Sequence, residues 1–362
     1  MYLHCQSDAD SIYKLLPDAL LPWYRQNARA LPWREDTEPY HIWLSEIMLQ
    51  QTRVEAVWNY YLRFLEQLPD IHALAEAPES RLFKLWEGLG YYNRARNLQK
   101  SARVIETQYG GQFPNQYADI RALPGIGPYT AGAIASICFG LPCAAVDGNV
   151  LRIITRMTEN GAPIDQMQTK TEITAQLEKV YPENDCGQFT QALMELGATI
   201  CTPKSPKCEV CPVNNFCRAY THGTVMNYPV KLPKKDKRVE ERTVFLLQYN
   251  NKYALNKRTE NGLLSGLWQL PNILGKMDAE QALHTADSFG VQPVELYQQL
   301  NREHVFTHIK WQMTCYHIRC AQAPADFTWA TSQEIQTTYA LPTAFRMFFE
   351  VPFGENTTEN SE

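Results

Sequence analysis

The chain has 362 residues, long for one core, and 44% hydrophobic and 20% charged residues give it an ordinary soluble globular composition, so two domains are expected. No basic stretch precedes an apolar one at the N-terminus, and the longest apolar run, 131–146, is broken by Gly140 and Pro142 short of the roughly 20 residues of a membrane span. The net charge of −5 is uneven, with nine Lys/Arg against four Asp/Glu in 201–242, so this segment is either a phosphate-contacting patch or a solvated linker.

In chain order, apolar spacings of three and four predict helices over 42–49, 54–65, 95–105, 130–139, 150–157 and 173–180. Pro69, Pro78, Pro114, Pro163 and Pro182 stand between them as breakers. This predicts an all-α domain over 8–222. A proline- and lysine-rich linker follows at 223–242. Beyond it, β-branched and aromatic bias predicts strands over 243–249, 253–256 and 304–319, with a helix over 279–289. The second domain is therefore α+β, 243–352, and the tail 353–362 reads as disordered.

Cys201, Cys208, Cys211 and Cys217 are spaced C-x6-C-x2-C-x5-C. A zinc ribbon offers two CxxC pairs well apart, whereas four thiolates in one loop suit a [4Fe–4S] cluster with one cysteine per corner iron; zinc stays the alternative. Lys204 and Lys207 lie in this loop and are either phosphate contacts or solvated charge. The turn Leu123-Pro124-Gly125-Ile126-Gly127 sits inside a helical hairpin, 116–139. Its glycines permit positive φ, and the following helix offers free N–H groups to a phosphate. Alone it is weak evidence, since Gly-x-Gly between helices is usually a plain tight turn.

Glu46 lies in an apolar helix, where burial would raise its pKa and keep a proton available; the alternative is a solvated helix carboxylate. Asp147 precedes the helix at 150–157, where the helix dipole favours the ionised form; the alternative is a simple N-cap.

Taken together, the glycine hairpin, Val146-Asp147-Gly148-Asn149 and the cysteine loop resemble the helix-hairpin-helix glycosylase superfamily that includes endonuclease III. Leu31-Pro32-Trp33-Arg34, the run from Ser45 to Thr52, Gly88-Leu89-Gly90-Tyr91-Tyr92 and Val146–Val150 look like its adenine DNA glycosylase (MutY) branch. The second domain is similar to that branch's MutT-like (Nudix-like) domain. The resemblance implies a monofunctional base excision repair glycosylase that removes adenine mispaired with 8-oxoguanine or guanine. Such an enzyme would act as a monomer on double-stranded DNA, in the cytoplasm.

It further implies that Glu46 protonates the base and Asp147 stabilises the sugar cation, while Tyr129 and Asn149 position sugar and carboxylate. Tyr129 stands where bifunctional relatives hold a lysine, and a phenol cannot form their imine. Arg29, Leu31, Trp33, Arg34 and Glu195 match the adenine pocket. Leu49, Gln51, Thr52 and Tyr91 match wedge and lesion contacts, and Leu123, Gly125 and Gly127 match the phosphate hairpin. In the second domain Phe306-Thr307-His308 stands where the family carries Phe-Ser-His, so the hydroxyl survives with an added methyl. The stretch GKMDAEQALHTADSFG lacks the Arg-Glu and Glu-Glu pairs with which MutT-type hydrolases hold Mg²⁺, so the domain reads as a binder.

Overall fold

The computed structural model describes residues 11–233, 236–259 and 262–349; the expected disordered tail at 353–362 lies outside these described residues. The helices in chain order are α1 (Leu16–Asn27), α2 (Pro39–Leu49), α3 (Val54–Gln67), α4 (Ile71–Glu76), α5 (Glu79–Trp86), α6 (Asn93–Tyr109), α7 (Tyr117–Ala122), α8 (Pro128–Phe139), α9 (Gly148–Thr158), α10 (Met167–Glu178) and α11 (Cys186–Thr199). Backbone proximity separates two units. All of these helices belong to the first unit except α5, which with the loop through Tyr92 belongs to the second.

In the helical unit, α2 begins with Pro39 at a position where a preset φ and a missing N–H cost nothing. From Ile42 to Met48 every side chain of α2 is buried, so Glu46 is carried into hydrocarbon. Helix α8 also starts on proline and closes on Gly140 at φ 65°, the left-handed conformation that ends helices. Its Gly132 is required by close packing, since a Cβ there would stand 2.4 Å from the Ala144 carbonyl oxygen. Helices α1, α9, α10 and α11 share one core around Leu16, Leu20, Val150, Ile154, Leu177 and Phe189.

The second unit is built on a mixed sheet ordered β3-β2-β1-β6-β5. Its strands are β1 (Arg238–Tyr249), β2 (Lys252–Lys257), β3 (Trp268–Gln269), β4 (Asn272–Leu274), β5 (Pro293–Val305), β6 (Ile309–Cys320) and β7 (Thr328–Thr331), with β4 paired to β1 and β7 to β2. Strands β1 and β6 run parallel from Arg238↔Ile309 to Gln248↔Arg319. Side chains alternate across the pleat. Val244, Leu246, Trp311 and Met313 pack with Ile335 and Phe345 on one face, and Phe245, Leu247, Tyr316 and Ile318 pack with Ala282 and Ala286 on the other. The helix carrying the last two, α12 (Ala279–Ser288), begins on a capping box in which Asp278 and Gln281 satisfy each other's backbone N–H groups.

Two expectations are corrected here. The linker does not extend to 242, because residues from Arg238 onward already pair with β6. The strand expected over 304–319 is a hairpin. The Phe306 N–H donates to the Ile309 carbonyl at 2.8 Å, reversing the chain through Thr307 and His308, and β5 pairs back along β6. Among the described residues, no helix is long and apolar enough to cross a membrane.

Candidate active site

Glu46 is buried, 7% exposed, and accepts a 2.6 Å hydrogen bond from the Tyr129 hydroxyl. Burial pushes its carboxyl up to about 7; the Tyr129 bond opposes this, the Asp147 charge adds to it and Arg34 opposes it. The solvated alternative for Glu46 is thereby removed. Burial also drives the Tyr129 hydroxyl well above its ordinary value, so it stays a neutral donor.

Asp147 is an N-cap and more. One carboxylate oxygen accepts from the backbone N–H groups of Asn149 and Val150, each at 2.8 Å. The other accepts from the Asn149 side-chain amide at 2.8 Å. The expectation that the helix end would favour its ionised form is corrected: burial pushes the carboxyl up and outweighs the Val150 and Asn149 hydrogen bonds and the Arg152 charge that pull it down. Asn149 is itself held, because the Arg152 guanidinium donates to its Oδ1 at 2.8 Å and to the Cys201 carbonyl at 2.7 Å. Hydrogen bonds thus run unbroken from Asp147 to the first cysteine of the loop. The sequence reading missed Arg152; an arginine one turn after Asn149 on the same helix was its only signal.

Arg29, Arg34 and Glu195 come together. Glu195, on α11, is fully buried and takes Arg29 through both oxygens at 2.6 and 3.0 Å, and Arg34 at 2.9 Å. Burial pushes its carboxyl up, but the Arg29 and Arg34 bonds prevail and hold it below the usual range. Leu31 and Trp33 are buried, with the Trp33 ring edge-on to Tyr61 at 5.5 Å. The Arg34 N–H donates to the Leu31 carbonyl at 2.8 Å across the Pro32–Arg34 turn.

At the end of α2, Leu49 is partly buried, Gln51 is exposed at φ 59°, and the Thr52 N–H bonds the Leu49 carbonyl. One Arg94 nitrogen donates to the carbonyls of Ile47, Met48 and Gln50 at 2.7, 3.0 and 2.7 Å. Arg94 therefore satisfies the free helix end and steadies the Gln51 turn; sequence reasoning missed it as well. In the hairpin between α7 and α8, Leu123 is buried and Gly125 sits at φ 77°. A Cβ at Gly125 would also meet Asn97 at 2.6 Å, whereas Gly127 caps α8 and faces open space.

In the second unit, Tyr91 is 49% exposed at φ 48°, and its hydroxyl receives the Thr307 hydroxyl's hydrogen bond at 3.0 Å. Thr307 and His308 are exposed at the β5–β6 tip, while the Phe306 ring packs 4.7 Å from Trp311. Tyr92 is buried against Phe83, as a core aromatic.

Cys201, Cys208, Cys211 and Cys217 line one cavity, walled by Ile153, Met157, Leu196, Ile200 and Val213. Among the described residues no three His, Cys, Asp or Glu side chains close around a single ion's position. Four thiolates ringing a cavity match four corner irons rather than one zinc. The Arg156 guanidinium lies 3.3 Å from the Cys201 sulfur, a cation where the thiolates concentrate negative charge.

Residues 44–183 match the HhH-GPD superfamily of base excision DNA repair proteins, 201–217 the iron–sulfur binding domain of endonuclease III, and 243–351 the NUDIX domain. The chain is 38% identical to the adenine DNA glycosylase of Buchnera aphidicola subsp. Baizongia pistaciae over 72% of its own length and 74% of the relative's. It is 33% identical to that of Mus musculus, over 91% and 77%. Among solved structures, a thermostable thymine-DNA glycosylase aligns at 31% identity with a TM-score of 0.54, covering 59% of this chain and 98% of that one.

The four cysteines thus hold a [4Fe–4S] cluster, which supplies a cross-link that closes the loop between α11 and the short helix Arg218–Thr221. Purified protein is expected to be brown with about four irons per chain. Stoichiometric zinc without iron after anaerobic purification would overturn this.

Proposed function

From the chain's membership of the adenine DNA glycosylase family, within the helix-hairpin-helix superfamily, we propose that it removes adenine mispaired with 8-oxoguanine or guanine. It is a DNA glycosylase of base excision repair that acts on adenine. The base-removal chemistry is supported by the buried Glu46 carboxyl, raised to about 7 by burial and hydrogen-bonded by Tyr129 at 2.6 Å, and the mispair reading by family membership and by the Thr307–Tyr91 hydrogen bond at the exposed hairpin tip.

Adenine leaves C1′ poorly as an anion. Glu46 gives the base a proton, the C1′–N bond breaks with its electron pair on adenine, and Asp147 faces the resulting sugar cation until water adds at C1′ and gives up a proton that restores the Glu46 acid. Asn149 and Arg152 fix the Asp147 carboxylate for that role, and Tyr129 fixes the acid. With a phenol at 129 no imine forms, so the enzyme is monofunctional. Getting adenine out of the stack costs a few kcal/mol, which Leu49 and Gln51 offset by filling the gap. Gly125, Gly127 and Leu123 grip a phosphate, and Arg29 and Arg34, steadied by Glu195, Leu31 and Trp33, line the pocket. The enzyme works on duplex DNA as a monomer.

The hairpin tip Phe306-Thr307-His308, with Tyr91, reads the base opposite adenine. The test is single-turnover adenine release from duplexes holding adenine opposite 8-oxoguanine or guanine. Wild-type protein should prefer 8-oxoguanine, and Thr307→Ala and His308→Ala should each cut that preference by about 1–3 kcal/mol, because the bound duplex would bury these exposed groups and the partner on the opposite base would be left unpaired. Equal rates on both duplexes would overturn the lesion reading, and efficient borohydride trapping would overturn the monofunctional one.

A further inference from the structure

The loop that carries Tyr91 is anchored at its base. Lys84 Nζ, on α5, donates to Glu87 Oε2 at 2.6 Å and to the carbonyl oxygens of Ile335 and Tyr339 at 3.1 and 3.2 Å. The other Glu87 oxygen accepts the Leu341 N–H at 2.8 Å. The two side chains are only 18% and 12% exposed. At that depth an ammonium and a carboxylate cannot turn away from their partners without stranding a charge. Each therefore acts as a fixed point against the 335–341 segment.

Three residues separate Glu87 from Tyr91. Gly88 and Gly90 take φ 101° and 69°, and the Trp86 indole N–H donates to the Gly90 carbonyl at 3.1 Å, closing the loop on itself. Little slack is left between clamp and tip. The hairpin that presents Thr307 is held separately, by the β5–β6 ladder and by Lys237 Nζ on the Phe306 carbonyl at 2.8 Å. The Tyr91–Thr307 bond joins these two independently anchored arms.

We propose that Lys84 and Glu87 are positioning residues for lesion recognition, holding Tyr91 in register with Thr307. The inference rests on the 8-oxoguanine reading above. Because removing one partner of a buried ion pair also destabilises, positioning is read from the ratio of the two rates in folded variants rather than from the thermal midpoint.

The experiment uses full-length protein with Lys84→Met, Glu87→Gln and Lys84→Arg, the first two also combined with Thr307→Ala. Thermal midpoints and single-turnover rates are measured on both duplexes. Lys84→Met and Glu87→Gln should each lose roughly ten-fold of the 8-oxoguanine preference while the rate opposite guanine stays within about two-fold, and adding Thr307→Ala should cost nothing further, as expected for coupled neighbours. Lys84→Arg, which keeps charge and donors, should retain most of the preference. If Lys84→Met is poorly folded, Glu87→Gln carries the test, because it keeps an acceptor for the Leu341 N–H. Folded clamp variants with full preference, or with both duplexes slowed equally, would overturn the inference. A wild-type enzyme without preference would overturn the lesion reading and this inference with it.

Discussion

Glu46→Gln and Asp147→Asn are each expected to lower single-turnover adenine release by about 10² to 10⁴, with duplex binding largely intact. Both replacements keep shape. In the first, the amide oxygen can still accept the Tyr129 hydrogen bond, so what is lost is the acid proton. In the second, the asparagine remains a good N-cap and can still accept the Asn149 and Val150 N–H groups. It loses the negative charge and sets its own amide against that of Asn149. The wild-type pH profile gives a second readout. Because burial holds the Glu46 carboxyl at about 7, its protonated form fades as pH rises through that value, and kcat/KM should fall on the alkaline side. That limb should be missing in Glu46→Gln. Near-normal rates in either variant would remove that residue from the mechanism.

Glu195→Ala should destabilise the helical unit by about 3 kcal/mol, the typical result of removing one partner from a buried ion pair. The reason is asymmetry. Arg29 is 34% exposed and can turn towards water, but Arg34 is 13% exposed and would be left charged beside the Tyr24 ring. Glu195→Gln, which keeps one acceptor, should cost less. The carboxyl sits below its ordinary range when folded, so its stabilising contribution is present above the unfolded pKa and lost as pH falls through the lower folded value. Urea unfolding at neutral pH checks this. An Ala variant with an unchanged midpoint would show that the pair carries no net stability.

Much of the site was legible because its residues sit in strings whose chemistry is local. Glu46 in an apolar run, Asp147 before a helix and four close cysteines need no tertiary information. What escaped was made by contacts. Helix α11, which carries Glu195, contains Gly187 and Gly197, and both weaken a helical pattern. Each is needed for close approach: a Cβ at Gly187 would stand 3.0 Å from the Ile137 Cα, and one at Gly197 2.5 Å from the Asn149 Cβ. Helix α1 holds Pro22 in its interior, a residue that reads as a break. Strand β5, rich in Gln, Glu and Arg, lacks β-branched bias; it is an edge strand made by pairing with β6. Arg94 and Arg152 look like surface charge until the carbonyls they satisfy are seen.

The placement of α5 and its loop also bears on how the protein is made. Lys84 and Glu87 are held in the finished molecule by Ile335, Tyr339 and Leu341, which follow them by 251 to 255 residues in the chain. A ribosome adding about 5–20 residues per second takes on the order of ten seconds to cover that interval. Throughout it, the nascent chain carries Lys84 and Glu87 without the Ile335 and Tyr339 carbonyls and the Leu341 N–H that hold them in the finished molecule. The stretch 78–92 therefore completes its own unit only when the last third of the protein emerges.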